Sequence, residues 1–123
     1  MIREDLAFIK KELEKAHNIA ERTYLEGRFQ KDVHRLNNMN RVQDKLIRAK
    51  NRIDEVNENI EYIALKQTID LYFDPREIIN LDEYSKLSTL KIRGNHEIVE
   101  RDFNIIKQLF DDFLDIERRI CGD

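Results

Sequence analysis

The clearest candidates for binding chemistry are four basic residues, spaced at intervals of four, three and four: Arg41, Lys45, Arg48 and Arg52. On an α-helix this spacing places them in one row along one face, here called the basic row. Such a row can contact the phosphates of a nucleic-acid backbone, to which Asn38, Lys50 and Asn51 could add contacts. It can also pair with Glu or Asp side chains of a neighbouring helix, as charges beside a coiled-coil seam do. No aromatic residue interleaves the row, so nothing indicates base stacking.

An acidic cluster near the C-terminus has side chains that bind hard metal ions. Asp111 and Asp115 stand one helical turn apart and could share a cation. Arg118 and Arg119 follow Asp115 by three and four residues and can neutralise it, which favours an ordinary solvated face. The cluster comprises Asp111, Asp112, Asp115 and Glu117.

The remaining candidates for metal or catalytic chemistry are isolated. Glu14 and His17 form a single Glu-x-x-His, whereas carboxylate-bridged di-iron bundles use two such motifs. Serine occurs only at Ser85 and Ser88, and no histidine has a spacing typical of a nucleophilic triad. There is no glycine-rich phosphate loop, and Cys121 has no second cysteine with which to bind zinc. We therefore predict a non-enzymatic protein with no cofactor and no metal.

The helix that must carry the basic row is specified by an apolar seam beside it. The seam alternates in steps of three and four, which is a heptad pattern. A helix from Phe29 to Tyr72 or Phe73 has roughly 43 residues and a length of about 65 Å. A compact chain of this size is only about 35 Å across, so part of the seam would project and need a second copy to cover it. The candidates for this oligomer seam are Met39, Val42, Leu46, Ala49, Ile53, Val56, Ile60 and Ile63.

A second heptad seam runs along the N-terminal part of the chain. Its preferred end is Gly27, which can take the left-handed conformation of a helix C-cap. The alternative end is Asn37-Asn38-Met39-Asn40, where asparagines give poor helix propensity. Either end produces two long antiparallel helices. The members of the seam are Ile2, Leu6, Ile9, Leu13, Ala16, Ala20 and Thr23.

Capping signals divide the C-terminal part into further helices. Asp74-Pro75-Arg76-Glu77 ends the long helix and begins a short helical turn at 75–79. A helix follows from Leu81 to about Ile92. Asn95 then caps a last helix, His96–Ile120, whose apolar stripe is the widest in the chain. We expect this last helix to be the central packing element.

Composition agrees with an all-α fold. Charged residues make up 38% of the chain and apolar residues 41%, with 3 Gly and 1 Pro, a mixture that suits amphipathic helices better than sheets. We predict a single all-helical domain over 1–123, with a long coiled-coil-like antiparallel hairpin over 1–73 and two C-terminal helices over 74–123, together forming a bundle. The chain has no apolar stretch long enough for a membrane span, and its single cysteine fits a reducing cytoplasm.

The uneven charge distribution bears on function. Residues 28–52 carry eight basic and two acidic side chains, a net +6, whereas 70–123 carry eight basic and thirteen acidic ones, a net −5. With the long seam and the missing catalytic set, this polarity predicts a small cytoplasmic homodimer that acts as an adaptor or inhibitor and binds a protein partner. Frequent Asn, Lys and Ile suggest an AT-rich coding sequence, as in phages and mobile elements. The alternative function is nucleic-acid binding through the basic row.

Overall fold

The structure, a computed structural model, describes residues 2–27, 29–55, 61–74 and 93–121. Within these ranges it contains four helices and no strand: α1 (Ile2–Gly27), α2 (Asp32–Glu55), α3 (Glu61–Phe73) and α4 (His96–Cys121). This confirms the predicted all-α fold class, in which a long helical hairpin, formed by α1 and α2, belongs to a helical bundle.

The hairpin turn lies at Gly27, as preferred from the sequence, and the asparagine cluster at 37–40 is inside α2. The reason predicted for Gly27 is wrong, because its backbone does not adopt the left-handed conformation. A Cβ atom at Gly27 would instead lie 3.0 Å from Cδ of Arg35, which packs closely against the end of α1. A larger residue at this position would require the Arg35 side chain to shift by a few tenths of an ångström.

The prediction of one continuous helix from near Phe29 to Phe73 is wrong. Lys50 Nζ lies 3.3 Å from Asp70 Oδ1, and Lys66 Nζ lies 3.5 Å from Asp54 Oδ1. From the first pair to the second, the α2 residue number rises from 50 to 54 while the α3 residue number falls from 70 to 66. α3 therefore packs antiparallel beside α2. On a straight helix, residues 50 and 70 would be about 30 Å apart. The periodicity of apolar residues cannot reveal such a reversal, because it is the same in one long helix and in two shorter helices that pack against each other.

One hydrophobic core contains residues from all four helices. The predicted N-terminal seam is buried from Leu6 to Thr23, while the side chain of Ile2 is outside the description. α4 contacts each of the other three helices, so it packs against more than one neighbour as predicted, but α2 also contacts all three and α4 is not the single central element. The buried core residues of α3 and α4 include Leu65, Ile69, Tyr72, Val99, Ile106, Leu109 and Phe113.

The start of α4 is fixed by two adjacent residues. Asn95 caps the helix as predicted, because its Oδ1 accepts a hydrogen bond of 2.9 Å from the Glu97 backbone N–H. A Cβ on Gly94 would lie 2.4 Å from the Asp32 carbonyl oxygen, so the backbone before α4 approaches the start of α2 closely. The predicted helical turn at 75–79 and the helix Leu81–Ile92 lie outside the described residues.

None of the described helices is both long and apolar enough to cross a membrane.

Candidate binding surface

The basic row lies on α2 beside the apolar seam, which faces the core. Val42 and Leu46 have no exposed surface, and their burial fixes the rotation of the helix. Arg41 and Arg48 are consequently exposed, whereas Lys45 is half-buried. The heptad pattern that orients α2 therefore also places the row at the border between the core and the solvent.

The fourth member of the row, Arg52, is engaged within the chain. Its Nη1 lies 2.9 Å from Oδ1 of Asp5 on α1, and its Nε lies 3.5 Å from Oε2 of Glu55. The guanidinium also stands 4.3 Å from the centre of the Phe8 ring, within the range of a cation–π contact. Arg52 therefore pairs with a carboxylate of a neighbouring helix, which is the alternative to phosphate contact considered for the basic row.

The other three members, Arg41, Lys45 and Arg48, form no ion pair with any described residue. Across the hairpin, Glu12 follows Asp5 by seven residues on the same flank of α1, which places it near the level of Lys45. Glu12 is 4% exposed, and its Oε2 has no hydrogen-bond partner among the described residues. The row thus has three cations that are not paired with any described residue.

Two of the neighbours expected to support the row are placed differently. Lys50 lies on the opposite flank of α2, where it pairs with Asp70 and stands 5.7 Å from the centre of the Phe73 ring. Asn38 lines a groove together with Arg41. Asn51 is exposed. Of the three, only Asn38 is shown to share a surface with a member of the row.

Five of the oligomer seam candidates, Met39, Val42, Leu46, Ala49 and Ile53, are fully buried inside the single chain. The chain's own helices cover them, so the projecting helix that called for a second copy is absent. Ile63 is 50% exposed on α3. Val56 and Ile60 lie outside the described residues.

A second exposed surface lies at the hairpin end, defined here as Leu25, Phe29 and Val33. Their exposed fractions are 65%, 86% and 55%. Leu25 is in the last turn of α1, Phe29 is in the connection and Val33 is in the first turn of α2, so all three stand at one end of the hairpin. When the heptad seam of α1 is continued past Thr23, Phe29 and Val33 fall one position out of phase with it. This spacing was the sequence signal that their side chains do not join the seam.

Sequence reasoning missed Arg35, which is only 7% exposed. Its Nη1 donates hydrogen bonds of 2.5 Å to the Gly27 carbonyl and 2.6 Å to the Gln30 carbonyl. Its Nε donates a hydrogen bond of 2.6 Å to the Gly94 carbonyl, and its Nη2 pairs with Asp32. The available signal was an arginine at a seam position, four residues before Met39.

A second missed group is the buried ion cluster of Asp102, Arg93 and Arg101. Asp102 has no exposed surface, and its carboxylate lies 2.9 Å from Nη1 of Arg93 and 2.7 Å from Nη1 of Arg101. The same arginines donate to the Tyr72 and Leu71 carbonyls at the end of α3. Burial raises the pKa of Asp102, although both guanidinium groups act to lower it. An aspartate three residues after Val99, inside the apolar stripe, was the signal.

Three of the groups considered for metal binding, Asp115, Glu117 and His17, have other contacts. Asp115 pairs with Arg118 at 2.8 Å, and Glu117 pairs with Lys10 at 3.1 Å. His17 packs against the rings of Phe103 and Phe110 on α4. Among the residues that the structure describes, no three His, Cys, Asp or Glu side chains are grouped so that they could hold a metal ion.

Comparisons of the chain with protein-family models, curated proteins and solved structures found no match.

Proposed function

We propose that this chain is a small, non-enzymatic adaptor or inhibitor that binds a protein partner through the hairpin end. The observation that carries the proposal is the 86% exposure of Phe29, between the exposed side chains of Leu25 and Val33. Aromatic side chains are enriched where protein interfaces concentrate their binding energy. An exposed phenyl ring is therefore a suitable anchor for a partner's pocket.

The rigidity of the turn supports this proposal. Arg35 ties the carbonyls of Gly27 and Gln30 together, and these residues flank Phe29. A contact surface that is already ordered loses less conformational entropy when it binds. The hairpin end thus combines exposed apolar side chains with two carbonyls held by Arg35. The homodimer, the cytoplasmic location and the origin in a phage or mobile element stay predictions.

The test compares Phe29→Asp with a matched control, Ile63→Asp. Both changes place a charge at an exposed apolar position, but Ile63 is on α3 and outside the hairpin end. Tagged variants are expressed in the native cells, and co-purifying proteins are quantified after circular dichroism has shown equal helix content. We expect a stoichiometric partner with the unmodified chain and with Ile63→Asp, and its loss with Phe29→Asp. Equal retention of that partner by Phe29→Asp would refute the proposal.

Nucleic-acid binding is the second candidate function, and one observation favours it. Arg41, Lys45 and Arg48 form no ion pair with described residues, so no carboxylate has to be displaced before they meet phosphates. Three phosphate contacts predict a log–log dependence of affinity on salt with a slope of about −2.7 for duplex DNA.

The corresponding experiment titrates the protein into labelled duplex and single-stranded oligonucleotides at several salt concentrations. Changing all three available cations of the basic row to Gln should abolish binding. The control changes Lys107, Arg118 and Arg119 on α4 to Gln, which removes the same charge from another surface. Unchanged binding by the row variant, or equal loss in both variants, would exclude the row as the specific contact.

A further inference from the structure

We propose that the groove between the end of α1 and the first half of α2 is a binding site for a phosphate group. The groove is open at the surface and is lined from both helices. Its polar side chains are Asn18, Arg22, Thr23 and Glu26 from α1, Gln30 from the turn, and Asn38 and Arg41 from α2. The inference is independent of the protein-partner proposal and shares only Arg41 with the basic row.

The chemistry of the lining suits a tetrahedral oxyanion. Arg22 and Arg41 approach the groove from different helices, and neither forms an ion pair with a described residue. A guanidinium group donates two parallel hydrogen bonds to an oxyanion, which makes arginine effective at recognising phosphate. The carboxamides of Asn18, Asn38 and Gln30 offer further N–H donors. Donors on several sides can then satisfy several phosphate oxygens together.

The walls of the groove are fixed before a ligand arrives. The hydroxyl of Thr23, which also lines the groove, donates a hydrogen bond of 2.7 Å to the Ile19 carbonyl. The Gln30 carbonyl accepts a hydrogen bond of 2.6 Å from Arg35, which holds the turn in place. Binding would therefore order the two arginine side chains and would leave the backbone unchanged.

Glu26 is the one carboxylate in the lining, and it gives the proposal a sharp test. Its negative charge opposes an anion and reduces the positive charge that the two arginines supply. Removing this charge should strengthen phosphate binding, while removing either guanidinium should weaken it. Changes of opposite sign within one groove are not expected from a general loss of stability.

The experiment measures binding of inorganic phosphate and pyrophosphate by isothermal titration calorimetry at low ionic strength, with amide chemical shifts mapping the site. We expect Arg22→Gln and Arg41→Gln each to weaken binding by about tenfold or more, as loss of a charge-assisted hydrogen bond predicts. Glu26→Gln should tighten binding, and Arg118→Gln, on the surface of α4, should leave it unchanged. Circular dichroism checks that every variant is folded.

The outcomes also identify the source of the phosphate. Binding of pyrophosphate that requires Arg22, without binding of oligonucleotides, supports a site for a phosphorylated small molecule. Oligonucleotide binding that requires Arg22 supports the same site on a nucleic-acid backbone. Oligonucleotide binding that requires Lys45 and Arg48 but not Arg22 overturns the groove and leaves the second candidate function standing. Absence of phosphate-induced chemical shift changes, or an affinity in both arginine variants equal to that of the unmodified chain, also overturns it.

Discussion

At the scale of single residues, Arg35 connects the hairpin turn to the backbone before α4, 59 residues further along the chain. Its guanidinium donates hydrogen bonds to carbonyls at the end of α1, in the turn and before α4. The Arg35 side chain is nearly buried. A buried charge of this kind is tolerated because its N–H groups have acceptors on several sides. The cost of removing it is correspondingly large, because several carbonyls lose their donor together.

We expect Arg35→Met to lower the free energy of unfolding by about 3 kcal/mol, since buried carbonyls lose hydrogen bonds from a charged donor. Arg48→Met makes the same chemical change at an exposed position with no ion pair among the described residues, and should alter stability by less than about 0.5 kcal/mol. Urea denaturation measures both. Equal losses of unfolding free energy in the two variants would show that the hydrogen bonds of Arg35 do not contribute to stability.

Asp102 gives the stability of the protein a particular dependence on pH. Burial raises its pKa on folding, so the folded state holds the proton more readily than the unfolded chain. Stability from this residue therefore increases as the pH falls through the raised pKa toward the ordinary aspartate value of about 4. As the pH rises through that window, the contribution is lost, because the charged carboxylate must be desolvated.

In Asp102→Asn this titration is absent. We expect the stability difference, unmodified chain minus Asp102→Asn, to fall as the pH increases from about 4 toward neutrality. Chemical denaturation of both proteins over a series of buffers gives this difference directly. A difference that rises with pH would mean that pairing with Arg93 and Arg101 outweighs burial.

At the scale of the elements, the sequence predicts α1 and α4 well and fails at α2 and α3. α1 and α4 combine an apolar period with local end signals, Gly27 in one case and Asn95 in the other. The asparagines at 37–40 look like a break, but burial of Met39 in the core outweighs their weak propensity. α2 and α3 share one apolar phase, so their antiparallel packing depends on tertiary contacts that no local pattern contains.

The reversal between α2 and α3 can be tested by cross-linking. In a Cys121→Ser background, cysteines replace Lys50 and Asp70, whose side chains meet in the structure. A short thiol cross-linker should join them, whereas on a straight helix they would be about 30 Å apart. Cysteines replacing Glu100 and Arg119, 19 residues apart on α4, are the matched control and should not react within one chain. If cysteines at 50 and 70 are not cross-linked, the result would contradict the antiparallel packing and favour the single long helix predicted from the sequence.

The candidate site is predictable only in part, for a related reason. Spacing places the basic row on one face of α2, and the structure agrees. Spacing does not show that Arg52 meets Asp5 on another helix, nor that Arg41 shares a groove with Arg22. Those relations depend on which helices become neighbours, and that follows from packing of the whole chain.

At the scale of the whole molecule, the seam of α2 is part of one core that all four helices share. Ile53→Ala should therefore lower the free energy of unfolding by about 2–5 kcal/mol, as expected for a buried isoleucine. Ile63→Ala, at a half-exposed site, should cost less than about 1 kcal/mol. Denaturation at two protein concentrations separates the intrachain core from an oligomer seam, because only loss of a dimer contact makes the effect depend on concentration.

The packing of α4 on α1 also has a consequence during synthesis of the chain. The rings of His17 and Tyr24 on α1 are covered by Phe103, which lies on α4 and is synthesised after the other described helices. α2 ends at Glu55, and Phe103 follows it by 48 residues. At about 5–20 residues per second, the hairpin waits roughly 2–10 s for this cover. In that interval the nascent hairpin presents an aromatic surface, a natural point for a chaperone to engage it.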